Sequence, residues 1–403
     1  MNNRPWPSAF AELEQQPRID DLEFNGLIAG SVFFAVCLPP PLHGQSLVDA
    51  SVIRAAQRFA GSGKIEIADI GPGRRNVGFQ YHLTRMFRVV LAMLMLLKRG
   101  VKANQQLYTV FESGLGVGYN FLIIGLARVL GYNIILHHHT SKHTLTRQRR
   151  FGLLQRIAGS SCLHVVLSEE MADNMRFLYP AIGNILVSQN ACHIPDGELK
   201  LAPSLRSNRL RVGFLSNLCH EKGLDVALDA ATKCRDRGLE MTFVFAGPTV
   251  GQQAADILSQ ARDRLGDYIE ILGPVTGEAK AAFFESIDIF LFPTRYRFEA
   301  QPLVLLEAMS YGLPVITTHC GYVAELVGCQ GIVLNVDEKL SDRIAEQLER
   351  LVASHDDYRR WEAIEIKSYF RQLRATAMSQ LRDLMNALFA LKSAEKIGPA
   401  SMS

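Results

Sequence analysis

Short apolar runs alternate with longer amphipathic or apolar segments along nearly the whole chain. Runs bounded by turn residues read as buried strands, and strand followed by helix, repeated, is the pattern of α/β structure with parallel sheets. In the first half this predicts strands at residues 30–38, 64–69, 106–111, 132–137, 162–167 and 184–188, with helices at 87–97 and 120–130. The first strand (GSVFFAVCL) runs into Pro39, Pro40 and Pro41, which force a loop. A polar stretch at 195–208, with Pro195, Gly197 and Pro203, reads as a linker. A second series follows, with strands at 211–215, 241–246, 268–272, 287–292, 314–317 and 331–334 and helices at 223–237, 254–264, 278–286 and 302–311. Residues 341–391 read as almost continuous helix. The expected fold is α/β, two doubly wound Rossmann-like domains facing a cleft where ligands bind at the strands' carboxyl ends. The expected segments are 1–200, 201–380, and a C-terminal helix and tail at 381–403.

Composition sharpens this picture only in part. With 403 residues, 48% hydrophobic and 21% charged, the chain can bury two cores, which excludes global disorder and fibrous repeats. No apolar stretch reaches the roughly 18 residues of a spanning helix. Residues 1–25 are polar and lack the basic start and apolar core of a signal peptide. Seven scattered cysteines without a C-x-x-C pair argue against a disulfide framework or structural zinc. A cytoplasmic protein is expected, peripheral on the inner face of the plasma membrane. Charge supports that last point. Residues 51–156 hold 16 basic residues against Glu66, Asp69 and Glu112, a net +13. Such a field attracts phosphate-bearing partners, and the alternative is an ordinary solvated face. Arg147, Arg149 and Arg150 precede apolar Phe151, Leu153 and Leu154 in what reads as a surface-binding amphipathic segment. Nucleic acid is not expected, because no aromatic-interleaved motif accompanies the basic face.

Candidate chemistry lies in four segments. Residues 292–314 read FPTRYRFEAQPLVLLEAMSYGLP, with Glu299 and Glu307 eight positions apart. Pro302 marks a helix start, placing Glu299 in the preceding loop and Glu307 in the second turn. The free amides near Leu303 and Val304 then make an anion site flanked by two carboxylates that accept from sugar hydroxyls. A nucleotide diphosphate sugar would use all three, although two glutamates alone are also ordinary surface charges. Residues 211–223 (RVGFLSNLCHEKG) put Lys222 after a strand, within reach of a diphosphate. Residues 38–46 (LPPPLHGQS) put Gly44 after the first strand, where backbone can approach a phosphate. Residues 134–143 (IILHHHTSKH) hold four of the eleven histidines at a strand end. Only His137 and His139 share a face there, and no carboxylate lies nearby in sequence to complete a metal site.

Taken together, FEAQPLVLLEAMSYGLPVI, LSNLCHEKGLD, LPPPLHGQS and ILHHHT occur in the order and spacing of family 4 glycosyltransferases, which the chain resembles from about residue 31 to residue 334. These are retaining enzymes of the two-domain GT-B architecture. The resemblance implies an N-terminal acceptor-binding domain and a C-terminal nucleotide-sugar-binding domain. It assigns Glu299 to the donor sugar, Glu307 to the ribose hydroxyls, Lys222 to the donor diphosphate and Gly44 to a phosphate. It places His139 or His137 near the reacting sugar, and matches Ser168 to a serine after an N-terminal-domain strand, where a helix N-cap is an equal alternative. Asn217 stands where the family has an arginine, a variant that resembles exopolysaccharide and lipopolysaccharide members.

The implied reaction moves a sugar from a nucleotide diphosphate sugar to an acceptor hydroxyl, on a lipid-linked or other glycan in surface polysaccharide assembly. It needs no cofactor or metal, because Lys222 and the helix start at Leu303 and Val304 would stabilise the departing diphosphate. With no nucleophilic carboxylate evident, front-side attack is preferred to a covalent intermediate. Two alternatives remain open: a nucleotide-sugar 2-epimerase, and a non-catalytic nucleotide-sugar-binding scaffold.

Overall fold

The computed structural model describes residues 30–41, 43–73, 79–101, 104–198, 209–353 and 356–389. The polar N-terminal stretch, residues 199–208 of the expected linker and the tail from 390 lie outside them. The chain forms two compact units. One runs to His193 and takes in the chain again from Ala377, and the other covers Ile194–Thr376.

The first unit is built on β1 (Ser31–Val36), β2 (Ile65–Asp69), β3 (Gln105–Val110), β4 (Asn133–His137), β5 (Leu163–Val166) and β6 (Asn184–Val187). All pair in parallel in the order β2-β1-β3-β4-β5-β6. Both faces of such a sheet are covered, so β1 is apolar and buried along nearly its whole length, and β3 is buried throughout although it carries Gln105, Gln106 and Thr109. The helices are α1 (Gly44–Ala60), α2 (Phe79–Arg99), α3 (Gly116–Val129), α4 (Lys142–Leu145), α5 (Arg149–Ala158) and α6 (Glu169–Leu178). The hydrophobic pattern did not predict α1. It starts directly after the proline loop, and His43 caps it, accepting from the Ser46 amide at 3.1 Å while Ser46 Oγ accepts from the His43 amide at 3.2 Å.

The second unit is built on β7 (Leu210–Leu215), β8 (Met241–Ala246), β9 (Ile269–Gly273), β10 (Ile289–Phe292), β11 (Val315–Thr318) and β12 (Gly331–Leu334). These too are all parallel, in the order β12-β11-β10-β7-β8-β9. Read from the β9 edge, this is the dinucleotide-fold order, with its reversal between β7 and β10. The helices are α7 (Leu224–Asp236), α8 (Gln252–Leu265), α9 (Gly277–Ser286), α10 (Leu303–Ser310), α11 (Val323–Val327), α12 (Leu340–Ala353) and α13 (Asp356–Phe389). The core of this unit gathers Phe214, Phe243, Phe245 and Leu291 from the sheet with Leu228, Ile344 and Leu348 from the helices over it. One unbroken helix, α13, runs through residue 381, and the partition into units falls at Ala377.

Candidate active site

Strand order decides where the chemistry of the second unit gathers. In open parallel sheets ligands bind at the carboxyl ends of strands where the order reverses, which here means the loops after β7 and β10. Lys222 closes a short 3-10 turn (His220–Lys222) after β7, and Glu299 lies in the loop after β10. The two loops cross closely. Gly223 takes a left-handed φ of 81°, and a Cβ there would stand 2.0 Å from the Pro293 carbonyl oxygen, so only glycine fits.

The Lys222 ammonium donates to Glu299 Oε1, which also accepts from the Thr294 hydroxyl at 3.2 Å. Lys222 Nζ stands 5.2 Å from the centre of the Tyr296 ring and 5.7 Å from that of Phe292, so aromatic faces add to its attraction. Glu299 is buried, and its backbone is fixed as well. Its carbonyl accepts from the Tyr322 amide at 3.1 Å, against Gly321, where a Cβ would stand 1.9 Å from the same oxygen.

Glu307 lies in the second turn of α10. Its Oε1 accepts from Lys280 Nζ of α9 at 2.6 Å, and its Oε2 is buried with no hydrogen-bond partner among the described residues. That leaves one oxygen to accept from a ligand hydroxyl. Leu303 and Val304 open α10 after Pro302, and no side chain caps this start. Asn217 is exposed in the loop after β7. The sequence reading named Lys222 and Glu299 separately. It did not name Thr294 or Lys280, which reach the two glutamates only through the fold.

In the first unit Gly44 is the first residue of α1. His137 ends β4, and His139 follows with its ring centre 4.1 Å from that of His137. His139 Nε2 lies 3.3 Å from Oδ1 of Asp49, a fully buried carboxylate on α1. His137 Nδ1 shares a hydrogen bond of 2.5 Å with the Tyr108 hydroxyl, and its Nε2 has no hydrogen-bond partner among the described residues. Asp49, His137 and His139 together offer ligand atoms within 4.8 Å of one another, a donor set of the kind zinc accepts. The missing carboxylate comes from another element, so its absence near the histidines in sequence was no argument against such a group. Burial pushes His137 well below its usual range, with His139 and His193 adding to the effect. Burial raises the Asp49 carboxyl, and the adjacent His139 imidazole opposes it.

The other two histidines of the run are structural. His143 Nε2 meets His138 Nδ1 at 2.8 Å, His138 Nε2 meets His164 Nδ1 at 3.0 Å, and His164 Nε2 meets Gln155 Oε1 at 2.6 Å. Three neutral imidazoles, each donating from Nε2, satisfy these three contacts, and His143 Nδ1 at the end of the chain has no hydrogen-bond partner among the described residues. Ser168 caps α6, accepting from the Met171 amide at 3.2 Å, the alternative weighed for it from sequence. The expected surface segment at Arg147, Arg149 and Arg150 needs correction. Its amphipathic helix exists, but Phe151 and Leu154 are wholly buried, Phe151 against Phe111, His143 and Tyr179. Of the three apolar residues named, only Leu153 faces outward. An amphipathic pattern cannot tell a core from a bilayer.

Residues 209–354 match the family model "Glycosyl transferases group 1". This segment is a group 1 glycosyltransferase domain. The amylovoran biosynthesis glycosyltransferase AmsK of Erwinia amylovora is 30% identical over 135 residues, 32% of this chain and 32% of that one. The GDP-mannose-dependent alpha-(1-6)-phosphatidylinositol monomannoside mannosyltransferase of Mycobacterium tuberculosis is 30% identical over 158 residues, 37% of this chain and 40% of that one. The matches thus span about a third of the length of these relatives. The fold extends further. The crystal structure of Anabaena HepE in complex with UDP and glucose superposes with a TM-score of 0.63 at 16% identity, covering 88% of this chain and 99% of that chain. The two six-stranded units are therefore those of the GT-B architecture. Asn217, Lys222, Lys280, Glu299, Leu303, Val304 and Glu307 all lie inside the glycosyltransferase domain, whereas Gly44, Asp49, His137, His139 and Ser168 precede it.

Proposed function

We propose that the chain is a retaining glycosyltransferase that moves a sugar from a nucleotide diphosphate sugar to an acceptor hydroxyl in surface polysaccharide assembly. The observation that carries this is the Lys222–Glu299 pair at the strand reversal of the group 1 glycosyltransferase domain. The C-terminal unit binds the donor. Glu299 accepts from the transferred sugar, and the free Oε2 of Glu307 accepts from the ribose hydroxyls. The diphosphate takes Lys222 and the uncapped start of α10. Breaking the anomeric C–O bond puts negative charge on the leaving diphosphate, and fixed donors at that point lower the barrier. The acceptor hydroxyl attacks on the face the diphosphate leaves, its oxygen bonding to the anomeric carbon as its proton passes to the departing phosphate oxygen. Metal-free charge stabilisation suffices in this scheme.

The N-terminal unit holds the acceptor, a lipid-linked or other glycan, and Gly44, His137 and His139 are its candidate groups. Its excess of basic residues suits a lipid pyrophosphate and a peripheral place on the inner face of the plasma membrane. Among the described residues no helix is long and apolar enough to cross a membrane. The relatives named for amylovoran and phosphatidylinositol mannoside synthesis support the same substrate class. The test is a thermal-shift screen of UDP-, GDP- and ADP-sugars, followed by transfer from the donor that binds. Stabilisation by a nucleotide sugar and transfer to a lipid-linked glycan are expected. An altered sugar released from donor alone would point to an epimerase instead.

A further inference from the structure

Helix α2 is apolar on two opposite sides. Val89, Ala92 and Leu96 are fully buried beneath it, as a helix over a sheet requires. Leu83, Phe87, Val90, Leu94 and Leu97 recur at spacings of four and three on the outer side, and all are between 44% and 63% exposed. Met86 and Leu91 widen this outer stripe to an arc of about 140° at 100° per residue, along a helix about 31 Å long. A helix that is apolar all round is ordinarily covered on both sides. The exposed residues form one continuous stripe rather than scattered surface leucines.

The charges around the stripe have one sign. Helices α2, α3 and α5 lie side by side, and none contains an aspartate or glutamate. The three acids of residues 51–156 are each paired with an arginine of α2. Arg85 pairs with Glu112, Arg88 with Asp69 at 2.5 Å, and Arg99 with Glu66 at 3.1 Å. Lys98, Arg149, Arg150 and Arg156 remain exposed along the same row of helices, next to exposed Val129 and Leu153.

We propose that the outer face of α2, with α3 and α5 beside it, docks on an anionic bilayer surface. The α2 stripe enters the boundary between headgroups and acyl chains, and the lysine and arginines meet lipid phosphates. Two features favour lipid over a second copy of the chain. A dimer through this face would oppose two surfaces of net positive charge, and a helical partner needs a seam narrower than the stripe. The inference sharpens the proposed membrane association and moves it from the α5 segment to α2. It does not depend on which sugar is transferred.

The full chain is sedimented with phosphatidylcholine vesicles that contain or lack phosphatidylglycerol, and its mass is measured by light scattering without lipid. Phe87→Glu with Leu94→Glu is the test variant. Both side chains are exposed, so the fold should persist, which thermal unfolding and its shift by nucleotide sugar monitor separately. The expected result is binding to phosphatidylglycerol vesicles only, weakened about tenfold or more in the variant, with the nucleotide-sugar shift unchanged. Failure of the wild type to bind those vesicles overturns the proposal. So does equal binding to neutral vesicles, unimpaired binding by the variant, or a lipid-free dimer that the variant dissolves. Loss of transfer with vesicle binding intact would count against the catalytic reading alone.

Discussion

Lys222 donates to Glu299 across 77 residues of sequence, and the contact exists because β7 and β10 are neighbours at the point where strand order reverses. The pair joins the group assigned to the leaving diphosphate with the group assigned to the sugar it leaves. Each therefore sets the other's position, and losses should not add. Glu299→Ala and Lys222→Ala are each expected to lower turnover by about 10²–10³-fold, with the double variant well short of the product. Steady-state kinetics on the three variants checks this. Near-normal turnover in either single variant removes the pair from the chemistry.

Glu307 calls for a different signature. One of its oxygens is held by Lys280 and the other is free, so it is a binding group kept in one orientation. Glu307→Ala should raise the donor KM by about tenfold or more, the scale of one charge-assisted hydrogen bond, with a smaller effect on kcat. Lys280→Met should raise KM less, because the carboxylate stays but loses its tether. If kcat falls instead while KM holds, Glu307 acts at the reacting centre.

Much of this arrangement was legible in sequence, and the gaps have identifiable causes. Buried parallel strands are apolar runs, so β7, β8 and β10 could be read almost to the residue, along with the Pro302 boundary that orders Glu299 and Glu307. Helix α1 was not read. Ten of its residues are buried, including Ser46, Asp49 and Ser51, so polar positions sit where the pattern expects apolar ones. Missing α1 meant missing Asp49, whose meeting with His139 is a tertiary event. Lys280 was missed likewise, since only the packing of the fold brings it to Glu307. The Arg147–Leu154 segment shows the opposite error. Its period was right, but period alone does not say which way the apolar side turns.

The Asp49, His137 and His139 group bears on the question of metal. The proposed scheme assigns charge stabilisation to Lys222 and the start of α10, so transfer should survive EDTA. Asp49→Asn should then alter activity through the orientation of His139 rather than through metal content. Elemental analysis of the purified chain and an EDTA titration of transfer decide this. Loss of transfer on chelation, with recovery in zinc, would assign an ion to the three ligand atoms and overturn the metal-free scheme.

Stability should fall on mild acidification. Burial holds His143, His164 and His193 at pKa values of about 3, and His137 and His138 well below the usual range. In the unfolded chain these groups titrate near pH 6.5, as free histidines do. Between about 6.5 and 3 the unfolded state thus binds more protons than the folded one, and stability rises with pH across that window. The contribution is complete above 6.5 and declines by about 1.4 kcal/mol per pH unit for each such histidine as pH falls. Asp49 works in the opposite direction, since its raised pKa relieves a burial cost on acidification. It is one group against five, so the histidines dominate. Urea unfolding at pH 7.5, 6 and 5 should give a midpoint that drops steadily below 6.5. His143→Phe should reduce that slope by one histidine's share, because its ring already stands 4.4 Å from Phe111 and 4.8 Å from Phe151 in an aromatic cluster that can accept phenylalanine. A midpoint that stays level from pH 7.5 to 5 would mean that the imidazoles are charged in the folded protein, and the neutral chain from His143 to Gln155 would have to be abandoned.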